Sequence, residues 1–150
     1  MFFLKELPTQ QMVEGYQQRY PATDLSAVGD ALAMLRQASV MIRGLERYFK
    51  THNTSQLRFL ILIVIDREPE SDGLTISEIT DRLDVSHPVM TRTLQAMVSD
   101  ELISIADHPD DRRAKLVRLS AHGKASLDAL LPGYFALINE YMAASATPYG

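Results

Sequence analysis

Apolar residues in this chain change their spacing several times, and each change marks an element. From Ser26 onward, Val28, Leu32, Leu35, Val40, Ile42, Leu45 and Phe49 recur every three or four positions. That spacing lines one face of a helix, and the run predicts a long amphipathic helix ending near His52. Asn53, Thr54 or Ser55 can cap the next helix, which contains "FLILIVI" at 59–65 and stops before Pro69. It is apolar on nearly every side, as a central buried helix must be. Upstream, Pro8 and Pro21 bracket "TQQMVEGYQQRY", which reads as a short helix.

After the loop "PESDGLT", Thr75 or Ser77 starts a short helix, "SEITDRLD", with Ile79 and Leu83 on one face. Asp84 and Val85 make a turn, and Ser86 caps a further helix running to about Ser99. The period then drops to two. "LISIA" (102–106) and "KLVRL" (115–119) are short alternating runs separated by a charged turn, which is a hairpin signal. Ser120 caps a last helical stretch, which Pro132 and Gly133 interrupt before "YFALINEYMAA".

The fold class is therefore mainly α with a small β-hairpin wing (α+β): a winged helix-turn-helix with N- and C-terminal helices left over. Residues 54–119 form the winged region, 26–53 and 120–150 the leftover dimerisation helices, and 1–25 an N-terminal extension assigned to dimerisation as well. These segments read as one integrated domain. The leftover apolar faces need a partner, and a second copy of the chain supplies one.

Composition narrows the picture. With no cysteine in 150 residues, disulfides, zinc–thiolate sites and thiol redox sensing are out of reach. "FLILIVI" is far too short to cross a bilayer, and "MFFLKELPTQQ" reaches Lys5 and Glu6 before any signal-peptide run forms. The chain reads as cytoplasmic. There is no phosphate-binding glycine loop, no His-Glu-x-x-His and no nucleophile with a base and an orienting partner, so no enzyme is expected. A formal net charge of −4 argues against bulk attraction to nucleic acid or to an anionic membrane. Any nucleic-acid binding must come from a local arrangement of charge.

Two places could provide that arrangement. In "SHPVMTRTLQAMV", Met90, Leu94 and Met97 share one helix face and pack inward, so His87, Val89, Thr91, Arg92 and Gln95 point outward. An imidazole, an apolar contact for a thymine methyl, a hydroxyl and an arginine near a helix N-terminus suit a major groove. The hydroxyls of Ser77 and Ser86, read as helix caps, suit phosphate oxygens. The second place is "ADHPDDRRAKLVRLS". Arg112 and Arg113 sit at a hairpin tip where no core can use them, and such an arginine can enter a narrow minor groove. Asp111 can hold the guanidinium in one orientation. Asp107, His108 and Asp110 crowd the same turn, but ligand-type residues in a flexible turn rarely converge, and no metal is expected.

The run "DDRRAKLVRLSAHG" resembles the wing signature of the MarR family of bacterial transcription regulators through Asp111, Arg113, Leu119, Ser120 and Gly123. "LTISEITDRLDVSHPVMTRTLQAMVSDELI" resembles the helix-turn-helix of that family, with Arg92 at its usual arginine, and "SQLRFLIL" resembles the preceding helix. Together they span roughly residues 30 to 145. Glu101 and Asp84 stand where the family has turn glycines, and the first 25 or so residues match none of its motifs. The resemblance implies a homodimer on a palindromic operator, a repressor released from double-stranded DNA by a small anionic or phenolic ligand. Met34, Met41, Tyr48 and Phe59 are the effector-pocket candidates, although such stripes are commonly core. A different class stays open: a winged helix used as a protein-interaction module that binds no DNA on its own.

Overall fold

A computed structural model describes residues 2–68 and 70–145. Six helices and three strands follow in the order α1 (Gln10–Arg19), α2 (Val28–Thr51), α3 (Gln56–Asp66), β1 (Leu74–Thr75), α4 (Ile76–Asp81), α5 (His87–Ser99), β2 (Ile103–Asp107), β3 (Lys115–Leu119) and α6 (Ala121–Ser145). The chain divides into two compact units. Tyr48–Ala136 forms one, and the segments on either side of it form the other.

In the unit Tyr48–Ala136, each helix boundary has a local cause. α2 ends as Asn53 turns left-handed (φ 55°) and the Thr54 N–H reaches back to the Phe49 carbonyl, closing the last turn. The Ser55 hydroxyl accepts from the Arg58 N–H and starts α3. α4 begins with a capping box: the Thr75 hydroxyl accepts from the Glu78 N–H while the Glu78 carboxylate accepts from the Thr75 N–H. Thr75, and not Ser77, is thus the cap, because only Thr75 stands three residues ahead of a glutamate. Ser77 lies in the first turn, exposed.

The two alternating runs pair as an antiparallel hairpin with Ile103 opposite Leu119 and Asp107 opposite Lys115. A third strand joins them. β1 pairs with β3 through Leu74↔Val117 and Thr75↔Leu116, giving the sheet order β1-β3-β2. Sequence pattern alone misses β1 because two residues carry no period. α3 packs against α4, α5 and β3, so the apolar "FLILIVI" helix is central, with Phe59, Ile61, Leu62, Val64 and Ile65 all buried. Ile79, Met90, Leu94, Met97, Ile103 and Val117 complete the core around it. Those ten or so buried side chains each contribute about 1.5–3 kcal/mol relative to exposure.

α6 corrects one expectation, since it runs unbroken through Pro132. A proline there denies the Asp128 carbonyl its helical donor. Packing compensates: Leu127 and Leu130 are buried, and the Tyr48 hydroxyl donates to the Leu130 carbonyl at 2.7 Å. Gly133 lets that tyrosine approach, for a Cβ there would stand 2.5 Å from its hydroxyl. Phe49, Phe59 and Tyr134 cluster beside it, with Phe59–Tyr134 ring centroids 4.5 Å apart.

The other unit holds α1, most of α2 and the end of α6. Thr9 caps α1, and the Gln17 side chain pins the following loop by donating to the Thr23 carbonyl (2.6 Å) and accepting from the Leu25 N–H (2.9 Å). Gly44 gives the Tyr141 ring its seat on α2. This unit exposes many large apolar side chains, among them Phe3, Met12, Tyr16, Met34, Leu35 and Met142.

Candidate nucleic-acid interface

α5 presents the face its spacing predicts. Met90, Leu94 and Met97 are buried, while Ser86, His87, Val89, Thr91, Arg92 and Gln95 are all exposed. Ser86 occupies the N-cap but its hydroxyl makes no capping bond, so it is free for an outside acceptor. Pro88 in the first turn supplies the φ that the helix start needs without wasting a donor. The helix is held at its far end. The Asp100 N–H closes on the Ala96 carbonyl, and Glu101 then turns left-handed (φ 57°). Asp84, the other residue standing at a family turn glycine, is not in that conformation.

Ser120 fixes the approach of the sheet to this turn. Its hydroxyl donates to the Glu101 carbonyl at 2.5 Å and accepts from the Gly123 N–H at 2.9 Å, while its own N–H donates to the Leu102 carbonyl. One serine therefore couples the end of α5, the end of β3 and the start of α6.

At the wing tip Asp111, Arg112 and Arg113 are exposed. The Asp111 contact differs from the expected one: its Oδ1 accepts from the Arg113 backbone N–H at 3.0 Å, and no ion pair joins it to either guanidinium among the described residues. A short aspartate side chain reaches the amide two residues on more easily than the end of an arginine. Asp111 shapes the turn, and the arginines are left unpaired. His108 and Asp110 also bond locally, the Asp110 N–H donating to His108 Nδ1 at 3.1 Å. Asp107 pairs with Lys115 across the hairpin.

Sorting of charge is the central feature of this unit. Between residues 54 and 119 the cations are Arg58, Arg67, Arg82, Arg92, Arg112, Arg113, Lys115 and Arg118. Arg58, Arg82, Lys115 and Arg118 are bound to Asp100, Glu68, Asp107 and Asp72. Arg67, Arg92, Arg112 and Arg113 have no ion pair among the described residues. Three of those four lie on the outward helix face and at the wing tip. The neutralised cations brace the scaffold. Arg118 joins β3 to the loop before β1, and its hydrogen bond, then its charge, holds the Asp72 carboxyl below the ordinary aspartate range.

Among the effector-pocket candidates, Phe59 is fully buried in the aromatic cluster, and the Tyr48 hydroxyl is committed to α6. Met34 is 69% exposed on α2 and Met41 is half-buried. No helix among the described residues is long and apolar enough to cross a membrane.

The sequence profile of the MarR family matches residues 52–114, the stretch from the end of α2 to the wing tip. The chain is 27% identical over 139 residues to the HTH-type transcriptional repressor YetL of Bacillus subtilis (strain 168), covering 93% of this chain and 83% of that protein. Its fold is similar to that of AbsC, a MarR family transcriptional regulator from Streptomyces coelicolor, with a TM-score of 0.70 and 15% identity over 96% of this chain and 86% of the other. The M. tuberculosis transcriptional regulator MOSR, solved in complex with DNA, superposes with a TM-score of 0.60 at 25% identity over 77% and 81% of the two chains. Profile, relative and fold agree with the wing and helix geometry: the chain belongs to the MarR family of winged helix-turn-helix transcriptional regulators.

Proposed function

We propose that this protein is a sequence-specific double-stranded DNA-binding repressor that acts as a cytoplasmic homodimer and is released by a small-molecule effector. The observation that carries the reading is the sorting of charge. In a chain of net charge −4, the arginines left without a carboxylate partner include Arg92 on the recognition helix and Arg112 and Arg113 at the wing tip. Arg92, with His87, Val89, Thr91 and Gln95, reads the major groove, and the wing arginines enter the flanking minor groove. The free Ser86 hydroxyl and exposed Ser77 suit phosphate oxygens. The exposed apolar surface of α1, α2 and the end of α6 favours a second copy, and repression follows from a dimer occupying promoter DNA. A class of regulators, not of enzymes, fits a chain with no catalytic constellation.

The deciding experiment is selection of bound duplexes from a random library by the full chain at two salt concentrations. The expected result is an enriched palindrome with half-sites about one helical turn apart, and affinity that falls steeply with salt as phosphate contacts release counterions. A folded dimer that enriches nothing, or whose binding to a protein partner ignores salt, would assign the winged helix to protein interaction instead.

The wing turn gives a second test. Asp111→Ala removes the acceptor for the Arg113 N–H and should weaken DNA binding about threefold, the worth of one local hydrogen bond. Asp111→Asn keeps an oxygen in place and should restore it. An alanine variant that binds like the parent removes Asp111 from the site.

A further inference from the structure

A cleft of about 360 Å³ opens in the unit Tyr48–Ala136, lined by His52 after α2, Arg58 and Leu62 of α3, Asp100 at the C-cap of α5, and His122 and Leu130 of α6. None of the effector candidates named from sequence lines it. Its volume is that of a small-ligand site, and its make-up is two-sided. Buried Leu62 and Leu130 give an apolar floor, and one arginine with two histidines gives a polar rim.

Arg58 is under-used there. Its side chain is 23% exposed, and its single side-chain bond among the described residues runs from Nη1 to Asp100 Oδ2 at 2.7 Å. A guanidinium carries five N–H donors, so most of the fork has no protein partner. His52 is oriented as well. Its Nδ1 stands 2.8 Å from the Tyr48 carbonyl, which only accepts, so Nδ1 carries the hydrogen and Nε2 is the free nitrogen. An unsaturated arginine fork over an apolar floor fits a small carboxylate with an apolar body, held bidentately.

The same arginine holds the recognition helix. Asp100 sits at the negative end of the α5 macrodipole, where a carboxylate is disfavoured unless a cation neutralises it. Arg58 is that cation, and it ties α5 to the N-terminal turn of α3. From Asp100 the 13 residues of α5 extend about 20 Å to the reading end, so a small tilt at the cap displaces His87 and Arg92.

We propose that the Arg58–Asp100 ion pair is a ligand-operated latch: a small carboxylate entering the cleft takes Arg58 from Asp100 and frees the C-terminal end of the recognition helix. This rests on the DNA-binding reading above and gives its release step a site, a ligand class and a moving part. Linkage then requires reciprocity. The carboxylate weakens DNA binding by the same factor by which DNA weakens carboxylate binding.

The test titrates benzoate and phenylacetate, with benzamide and phenylacetamide as uncharged isosteres, into the full chain. Arginine Nε–H and histidine ring signals are followed by NMR, and the titration is repeated on the complex with a selected duplex. The carboxylates should shift the Arg58 and His122 signals saturably, the amides should not, and Arg58→Gln should abolish the response. Asp100→Asn leaves Arg58 without a competitor. It should bind the carboxylates about threefold more tightly, the scale of an exposed ion pair, while its DNA affinity no longer responds to them. If neither carboxylate shifts Arg58 at millimolar concentration, or if Asp100→Asn binds them no better than the parent, the latch is overturned. Duplexes selected but unaffected by bound carboxylate overturn it too, while leaving the DNA reading intact. The predicted carboxylate pattern without any selected duplex upholds the cleft as a carboxylate site and overturns the DNA reading.

Discussion

Replacing Arg113 with alanine should weaken operator binding more than tenfold while leaving the melting temperature unchanged. The two halves of that expectation have separate causes. Arg113 is exposed at the tip of the β2–β3 hairpin, its side chain has no ion pair among the described residues, and only its backbone N–H is engaged, by Asp111. Alanine keeps that N–H, so folding loses nothing measurable. Binding loses a minor-groove guanidinium at each of two wings in the proposed dimer, and a tenfold change needs only about 1.4 kcal/mol in total. Arg113→Lys separates charge from shape. A lysine keeps the attraction to phosphate but is more strongly hydrated and fits a narrow groove less well, so it should recover part of the affinity and the salt slope before it recovers sequence preference. Affinity of the alanine variant within twofold of the parent would place the wing off the DNA.

Gly123→Ala should have the largest effect on stability of any single methyl in the molecule's wing region. Two opposed terms decide it. Within a helix, alanine is favoured over glycine by about 1 kcal/mol. At Gly123 the new Cβ would stand 2.9 Å from the Leu102 carbonyl carbon and closer still to its oxygen, and backbone cannot swing aside as a side chain would. Overpacking of this kind costs about 3 kcal/mol, so the clash wins by about 2. That corresponds to a fall in melting temperature of roughly 4–8 °C. The displacement also reaches the Ser120 hydroxyl, which holds the Gly123 N–H and the Glu101 carbonyl together, so DNA binding should fall at temperatures where the variant is still folded. Gly15→Ala in α1, where a Cβ meets nothing within 4 Å, is the control and should be neutral or slightly stabilising. Equal melting temperatures for Gly123→Ala and the parent would show that α6 can shift away from Leu102.

The order of elements and the inward face of α5 were legible in the sequence because both are periodic. Met90, Leu94 and Met97 are buried for the reason their spacing states, and β2 and β3 pair where alternation places them. Three features were not legible. β1 is two residues long and exists because β3 offers an edge, so no local pattern announces it. Pro132 reads as a break, yet α6 continues because Tyr48, 82 positions away in the chain, bonds the Leu130 carbonyl. Asp111 was correctly placed at the wing but given the wrong contact, since composition cannot distinguish a guanidinium partner from a backbone one.

By itself the sequence determined which residues are apolar at helical or strand spacing, where turns and caps begin, and that net charge works against DNA. Those are properties of near neighbours and of sums. Tertiary structure alone decided which charges cancel. Arg58 meets Asp100 across 42 positions and Arg118 meets Asp72 across 46, so the acids are consumed in bracing the scaffold while Arg92, Arg112 and Arg113 stay unpaired. Coulomb attraction depends on distance in space and not along the chain, and so an acidic protein can present a cationic reading surface.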